Sequence, residues 1–295
     1  MKRGAFLEHV GWTGAGIAFT MSGEGLLVGK ALADVGPDAD TLFVQISDSH
    51  LGFHMPANPD VLETFSKSID AINRLAKQPR FVMHTGDVSH LSSPEQFDSG
   101  KQALGKLRAR YMAVPGEHDM LSDHKLFYDA FPAASGSTGW FSWNEGGIHY
   151  VALVNVFDFE NMGLLGSEQI AWLEHDLRSV KASTPVVVFA HVPLYALYPQ
   201  WGWTTKDGAK ALALLQPFER VTVLNGHIHQ VIHHVEGNIH FATAHSTAYP
   251  QAAPGKALHP GPLKLPHDDL LRVLGFRTVT VAQHGVSDLD DQTLG

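Results

Sequence analysis

The chain carries five short polar blocks, each of which directly follows an apolar run of strand length. Where strands alternate with helices, the strands form a largely parallel sheet, and residues beyond their carboxyl ends meet in one crevice. A chain with this pattern is therefore expected to gather its polar blocks at one edge of the sheet. The blocks are Asp48-Ser49-His50, Gly86-Asp87, Gly116-Glu117-His118-Asp119, His191-Val192-Pro193 and Gly226-His227-Ile228-His229.

The first part of the chain alternates predicted strands with predicted helices. Two segments, residues 61–75 and 95–108, repeat apolar side chains at helical spacing, and Asn58-Pro59-Asp60 is expected to begin the first helix. This alternation predicts a mainly parallel sheet with right-handed crossovers. The predicted strands are residues 41–47, 81–84 and 111–114.

The pattern changes after residue 139. Two apolar segments flank Asn144-Glu145-Gly146-Gly147, which predicts a β-hairpin, and Ser167 is expected to cap a later helix. Residues 250–266 are rich in Pro and Gly and predict a long loop that covers a sheet edge or lines a cleft. Further strands are predicted to complete a second sheet, and they are residues 185–190, 221–224, 239–244 and 273–281.

Composition limits the chemistry that the blocks can perform. The chain has no cysteine, so any metal ion must be held by His and carboxylate side chains, which suit borderline divalent metals. Its net charge of -9 argues against a surface that wraps nucleic acid, so a nucleic-acid partner is not expected. The length of 295 residues accommodates one large α/β domain, which we place at residues 34–295.

Residues 1–33 differ from the rest of the chain. Lys2 and Arg3 precede a Gly- and Ala-rich, mildly apolar stretch, and Ala31-Leu32-Ala33 offers a small-x-small cleavage pattern. The segment is similar to a twin-arginine export signal, although Gly4 occupies the position of the second arginine. We predict export to a bacterial periplasm, the alternative being a cytoplasmic protein with a surface helix or leader. The stretch is too short for a transmembrane helix.

Each block is a weak signal by itself, because a lone Asp or His is more often a turn or surface residue. The i, i+2 pairs after a strand are expected to point the same way, so that both side chains reach one metal. Asp87 follows Gly86, whose flexibility allows a sharp bend, and the Asp87 carboxylate could then bridge two metals about 4 Å apart. The joint pattern therefore predicts a two-metal site.

The order Asp-x-His, Gly-Asp, Gly-Asn-His-Asp, His, Gly-His-x-His is typical of the calcineurin-like metallophosphoesterases, and this chain resembles that family from about residue 41 to 229. The resemblance implies an α/β fold, a four-layer α+β-type sandwich of two mixed β-sheets flanked by helices. It also implies two divalent or mixed-valence metal ions, which are Fe, Mn or Zn. The implied substrate is a small-molecule phosphoester, hydrolysed by a hydroxide that bridges the two metals.

The resemblance assigns a role to each matching residue. His118 would protonate the leaving group, and Asp119 would orient His118 by accepting its other ring proton. Asp87 would bridge the metals. The remaining ligands would be Asp48, His50 and His229 for the first metal, and His191, His227 and Glu117 for the second.

Glu117 stands where the family has Asn. Its charge would bring two divalent ions, three carboxylates and a hydroxide to a net charge of zero, one unit below a site with Asn. A more neutral site should attract a phosphomonoester dianion less strongly, which predicts a bias to phosphodiesters. The alternatives are a site that favours a ferric ion and a catalytically impaired family member that acts as a binding protein. Retention of His118 and Asp119 argues against the impaired site.

Other residues near the blocks could contact a substrate, although an ordinary structural role is favoured for each histidine. Trp201 and Trp203 could form an aromatic wall over the site, and core packing is an equal alternative. The histidines are His54, His84, His90, His233, His234 and His245.

Overall fold

The structure is a computed structural model that describes residues 19–22, 25–28, 41–132, 138–160, 162–282 and 285–295. The proposed export segment, residues 1–33, lies outside the described residues except for one short antiparallel hairpin. Its strands are β1 (Phe19–Ser22) and β2 (Gly25–Val28). No helix in the described part of the chain combines the length and apolar composition needed to cross a bilayer.

The first large sheet has five strands in the order β13-β12-β3-β4-β5. Strands β3, β4 and β5 are parallel, as the alternation with helices predicts, whereas β12 and β13 are antiparallel to their neighbours. The strands are β3 (Thr41–Ile46), β4 (Phe81–His84), β5 (Arg110–Ala113), β12 (Gly275–Ala282) and β13 (Gly285–Thr293).

The assignment of residues 273–281 to the second sheet is wrong. Strand β12 pairs with β3, with Val279 opposite Phe43, and thus extends the first sheet. Both side chains lie in the apolar layer between the sheets, so the strand buries the same face that it would bury in the other sheet. The choice of partner strand is therefore a property of the tertiary fold that the local pattern does not contain.

The second large sheet has six strands in the order β10-β11-β9-β8-β7-β6. Its four central strands are parallel, and the antiparallel edge strand β6 forms the predicted hairpin with β7. The strands are β6 (Phe141–Glu145), β7 (Ile148–Ala152), β8 (Val186–Ala190), β9 (Val221–Asn225), β10 (His233–Glu236) and β11 (Ile239–Thr243).

The two sheets pack face to face through an aromatic layer in which Phe43 stacks on Phe81 at 4.8 Å and meets Tyr150 edge-on. Separate apolar clusters join the outer faces of the sheets to helices. This arrangement confirms the predicted sandwich of two mixed sheets flanked by helices. The helices are α1 (Val61–Asn73), α2 (Pro94–Leu104), α3 (Lys125–Ala130), α4 (Ser167–Leu177), α5 (Gly208–Leu215) and α6 (His267–Leu271).

The starts of α1 and α4 differ in how the free N–H groups are satisfied. Helix α1 begins as predicted, because the Asp60 carboxylate accepts a hydrogen bond from the Glu63 N–H. The expectation that Ser167 caps α4 is wrong, because Ser167 is the first helical residue and makes no capping bond. Gly166 precedes it with a φ of 80°, and the Asp207 carboxylate accepts the Gly166 N–H at 2.9 Å.

Candidate dinuclear metal site

The five polar blocks lie beyond the carboxyl ends of five strands and meet where the two sheets come together. Three of these strands belong to the first sheet and two to the second. The seven sequence-predicted metal ligands are all buried, with exposed fractions between 0% and 6%. Their ligand atoms form overlapping groups in which all atoms lie within 4.8 Å of one another.

The first cluster consists of Asp48, His50 and His229. The Nε2 atom of His229 lies 3.4 Å from Oδ1 of Asp48 and 3.1 Å from Nε2 of His50. The other ring nitrogen of His229 donates to the carbonyl of Tyr249 at 2.6 Å. That bond turns the Nε2 lone pair of His229 toward the cluster, which is the arrangement of a metal-binding histidine.

The second cluster consists of Glu117, His191 and His227. The two Glu117 oxygens each lie 2.9 Å from a ring nitrogen, one from Nε2 of His191 and the other from Nδ1 of His227. His191 is oriented by its own Nδ1, which donates to the Thr85 carbonyl at 2.7 Å. The Glu117 side chain therefore converges with the two histidines, at the position where the family has Asn.

Asp87 lies between the two clusters. Its Oδ2 atom is 3.5 Å from Nε2 of His50 in one cluster and 3.5 Å from Nε2 of His191 in the other. Its second oxygen, Oδ1, accepts the backbone N–H of His118 at 2.9 Å. A single carboxylate oxygen thus faces both groups of ligands, and the hydrogen bond to His118 fixes its orientation.

The ligand atoms of the second cluster are arranged to bind a metal ion and do not form hydrogen bonds with one another. Although His191 Nε2 and Glu117 Oε2 are close, neither has a hydrogen-bond partner among the described residues, and neither does either ring nitrogen of His227. Buried polar atoms are normally paired, so the convergence of unpaired atoms from these three residues indicates a ligand of another kind. Imidazole with carboxylate suits Zn, Mn and Fe.

Backbone strain is concentrated in these loops. Non-glycine residues rarely adopt positive φ, yet the five predicted ligands Asp48, His50, Asp87, His227 and His229 have φ between 41° and 67°. Each costs on the order of 1–3 kcal/mol and is typical of functional sites. The backbone of the i, i+2 pairs is therefore not extended, contrary to the expectation. His227 and His229 belong to different clusters.

Two glycines allow the loops to approach one another closely. Gly86 has a φ of 99°, and a Cβ atom there would lie 2.4 Å from Nδ1 of His191. A Cβ atom on Gly226 would lie 2.1 Å from Oγ of Ser47. The predicted role of Gly86 in close backbone approach is therefore visible in the geometry, and Gly226 plays the same role in the last block.

The buried carboxylate of Glu117 remains ionised. Burial by itself would raise the pKa of Glu117, but His227 and His191 more than offset this effect and hold the pKa well below its ordinary value. Asp48 behaves in the same way, because His229 outweighs burial and lowers its pKa. Both clusters thus present the charged oxygens that a metal ion requires.

His118 borders the second cluster, but the expected bond between its ring and Asp119 is wrong. The Nδ1 atom of His118 donates to the carbonyl of His90 at 2.8 Å. Asp119 instead accepts backbone N–H bonds from Val88, Ser89 and Gly116, at 3.1, 2.8 and 3.1 Å. Asp119 therefore ties the second block to the third, and the carbonyl of residue 90 orients the His118 ring.

A cavity of about 320 Å³ opens beside Glu117, His118 and His227. Trp201 and Trp203 border it and also pack against Ile228, with exposed fractions of 8% and 1%, so both suggested roles apply to them. Residues 260–262 of the loop formed by residues 250–266 line the cavity. Of the two positions predicted for this loop, the structure therefore shows the one that lines a cleft. Sequence reasoning missed the other aromatic and apolar lining residues, which are Phe53, Met55, Phe159, Met162 and Tyr249.

Of the additional histidines, only His90 is among the residues that border this cavity. His84 is fully buried and contacts Ser49 at 3.0 Å, which is a structural role. His54 is exposed and bonds to the Pro59 carbonyl. His233 and His234 lie in β10. The favoured structural interpretation thus holds for His84.

His90 contacts both a candidate metal ligand, His50, and the candidate proton donor, His118. Its Nδ1 lies 3.4 Å from Nδ1 of His50, and its ring stacks on His118 at 4.8 Å with an interplanar angle of 16°. With Nε2 of His50 bound to a metal ion, the ring proton of His50 would sit on Nδ1 and would point to Nδ1 of His90. His90 therefore fixes the ring orientation of a candidate ligand.

Replacing His90 with Phe is expected to weaken binding of one of two metal ions by about 10- to 100-fold, because the ring stacking remains while the partner of His50 is lost. The measurement is calorimetric titration of metal-free protein with Mn²⁺ or Zn²⁺. His90→Asn, whose side-chain oxygen can accept the same bond, is the matched control and should retain most of the affinity. Equal affinity of the wild type and the Phe variant would rule out this role.

Comparison with known proteins agrees with the geometry. The model of the calcineurin-like phosphoesterase family matches residues 41–231. A glycerophosphodiester phosphodiesterase of Enterobacter lignolyticus is 25% identical over 202 residues, which are 64% of this chain and 71% of that protein. A 3',5'-cyclic-nucleotide phosphodiesterase of Nostoc sp. is 22% identical over 191 residues, which are 63% of this chain and 70% of that protein.

A similar fold occurs in the crystal structure of a dimetal phosphatase from Danio rerio. The TM-score is 0.63 at 14% sequence identity, with 86% of this chain and 98% of that chain covered. At this identity the likeness shows the fold alone. The family match spans more than half of the chain and includes all five polar blocks. The chain therefore belongs to the calcineurin-like phosphoesterases and is a metal-dependent phosphoester hydrolase.

Proposed function

We propose that the chain hydrolyses small-molecule phosphoesters with two metal ions and prefers phosphodiesters to phosphomonoesters. The observation that carries the proposal is the position of Glu117, whose two oxygens lie 2.9 Å from His191 and His227 in the second cluster. Two relatives that are named as phosphodiesterases support the same reaction class.

The chain supplies the ligands for both ions. Asp48, His50 and His229 would hold one ion, the second cluster would hold the other, and Asp87 would be shared. Two Fe, Mn or Zn ions held there would supply a nucleophilic hydroxide near neutral pH and would neutralise charge on the phosphoryl oxygens. The residues themselves keep the ligand atoms ionised, buried and oriented toward the substrate cavity.

His118 is the candidate proton donor for the leaving alcohol. Its Nδ1 is occupied by the His90 carbonyl, so Nε2 is the ring atom that remains for the substrate. The ring also borders the cavity beside the second cluster. A proton held at Nε2 of His118 would therefore pass to the ester oxygen as its bond to phosphorus breaks.

The charge of Glu117 should decide between monoesters and diesters. A phosphomonoester carries up to two negative charges near neutral pH, whereas a diester carries one. Adding a carboxylate at about 4 Å from a bound phosphate costs on the order of 1–4 kcal/mol per substrate charge, depending on the local dielectric. The dianion therefore loses more binding energy than the monoanion does.

Glu117→Gln is expected to lower the diester-to-monoester ratio of kcat/KM by about tenfold, because it removes the charge and keeps the side-chain length. The measurement compares bis(p-nitrophenyl) phosphate with p-nitrophenyl phosphate, and elemental analysis follows Fe, Mn and Zn in both proteins. Glu117→Asp keeps the charge and is the matched control. A wild type that cleaves the monoester far faster than the diester would contradict the bias.

The same experiment distinguishes an active enzyme from a catalytically impaired family member that acts as a binding protein. An impaired family member would contain two equivalents of metal and would hydrolyse neither ester, even after metal-free protein is reloaded with Mn²⁺. In that case Glu117→Asn should restore turnover, because it restores the residue that the family has at this position. A wild type that turns over either ester excludes this alternative.

A further inference from the structure

Apart from the candidate metal ligands and a few other polar residues, the cavity beside the second cluster is lined by apolar and aromatic residues. Its aromatic and apolar lining comes from four different segments of the chain, so it is built by the tertiary fold. Most sites for drug-sized ligands have volumes of about 300–1,000 Å³ and are lined mainly by apolar and aromatic side chains, as this cavity is. The aromatic and apolar lining residues are Phe53, Met55, Phe159, Met162, Trp201, Trp203, Tyr249, Pro260 and Pro262.

Two of these side chains expose much of their surface at the cavity. Met55 is 59% exposed and Phe159 is 52% exposed, although both are large and apolar. Phe159 meets the His118 ring edge-on, with ring centroids 6.3 Å apart. Single exposed apolar residues need no explanation, but two that border a cavity next to a candidate proton donor indicate a surface that a ligand covers.

Charge restricts what this ligand can be. No Lys or Arg is among the residues that line the cavity in the described part of the chain. Gln251 adds only a neutral amide to the lining, and the chain as a whole has a net charge of -9. A second phosphate or carboxylate on the substrate would therefore lose its hydration in the cavity without gaining a cationic partner.

We propose that this cavity binds an uncharged, apolar alcohol moiety of a phosphodiester, and that Phe159 determines the preference for it. The inference rests on the phosphodiester hydrolysis proposed above. In the reaction, water adds to phosphorus and one phosphorus–oxygen bond breaks. The released alcohol takes up one proton, and the other ester group remains on the phosphomonoester product. An aryl or short acyl-glycerol group suits the cavity, whereas a nucleoside polyphosphate does not.

The test uses methyl phosphonate monoesters, whose phosphorus group carries one negative charge and holds the variable group through a carbon–phosphorus bond that hydrolysis does not break. Calorimetry on the metal-loaded protein compares methyl phenylphosphonate, methyl methylphosphonate and methyl 2-carboxyethylphosphonate. We expect the phenyl compound to bind about tenfold more tightly than the methyl compound, and the carboxylate compound to bind most weakly. Phosphorus NMR before and after each titration checks that the methyl ester is intact, so that the readout is binding and not turnover.

Phe159→Ala is expected to reduce the phenyl-to-methyl affinity ratio about fivefold, and Phe159→Lys should improve binding of the carboxylate compound. Leu62→Ala is the matched control, because Leu62 is 46% exposed on α1 and does not line the cavity. It should leave the ratio unchanged. Equal affinities in the wild type, or a ratio that Phe159→Ala does not alter, would overturn the inference.

The inference and the proposed function can fail separately. If bis(p-nitrophenyl) phosphate is hydrolysed while the phosphonates bind without preference, the assignment of the cavity is wrong and the phosphodiesterase activity stands. If the preference is present and no diester is hydrolysed under any metal condition, the proposed function is wrong.

Discussion

Replacing Asp87 with Asn is expected to reduce phosphoester hydrolysis by about a thousandfold and to lower the bound metal from two equivalents toward one. One Asp87 oxygen lies 3.5 Å from a histidine of each cluster, so the substitution removes charge from both clusters at once. Metal ions contribute several kcal/mol to charge stabilisation in such reactions, and about 1.4 kcal/mol corresponds to a tenfold change in rate.

The measurement for Asp87→Asn combines kcat/KM with elemental analysis of the same sample. Asp98→Asn is the matched control, because Asp98 is exposed on α2, belongs to neither cluster and undergoes the same chemical change. Thermal unfolding checks that both variants are folded. Full activity with two bound equivalents in Asp87→Asn would show that Asp87 is not shared between the ions.

Replacing His118 with Asn is expected to slow hydrolysis of alkyl esters by about 10²- to 10⁴-fold, which is the usual contribution of general acid catalysis. The loss should be within about tenfold for p-nitrophenyl esters, because a good leaving group departs without a proton. The dependence on the leaving group is decisive, since a residue that only positions the substrate would affect both classes equally.

The control for His118→Asn is His54→Asn, which changes an exposed histidine outside the cavity. Calorimetry should find two metal equivalents in both variants, because His118 is not among the proposed ligands. A loss that is the same for methyl and p-nitrophenyl esters would argue that His118 binds the phosphoryl group and does not protonate the alcohol.

The sequence predicted that the candidate ligands lie close together, because their positions follow from local patterns. Asp48 and Asp87 directly follow apolar runs, and a strand end in an α/β sheet is a position that local periodicity can locate. The convergence of Glu117 with His191 then follows from the meeting of the two sheets. For these residues, sequence order and strand ends were sufficient to predict proximity.

The features that the sequence did not predict depend on contacts between distant segments. Strand β12 pairs with β3, and the paired residues Val279 and Phe43 are 236 positions apart in the printed sequence. The partner of the His118 ring is a backbone carbonyl, and any residue type at position 90 supplies a carbonyl. Phe159 lies outside the helices and strands, and no periodic pattern in the sequence predicts its position at the cavity.

The close approach of Gly86 to His191, and of Gly226 to Ser47, has a consequence for how this site can diverge during evolution. Side chains at these two glycines would collide with neighbouring loops, so substitutions there disturb the frame that carries several ligands together. A change at the tip of a ligand, such as Glu for Asn at position 117, leaves that frame in place. The charge of the site can therefore change by one unit while the loops keep their positions, whereas a side chain at either glycine would displace several ligands at once.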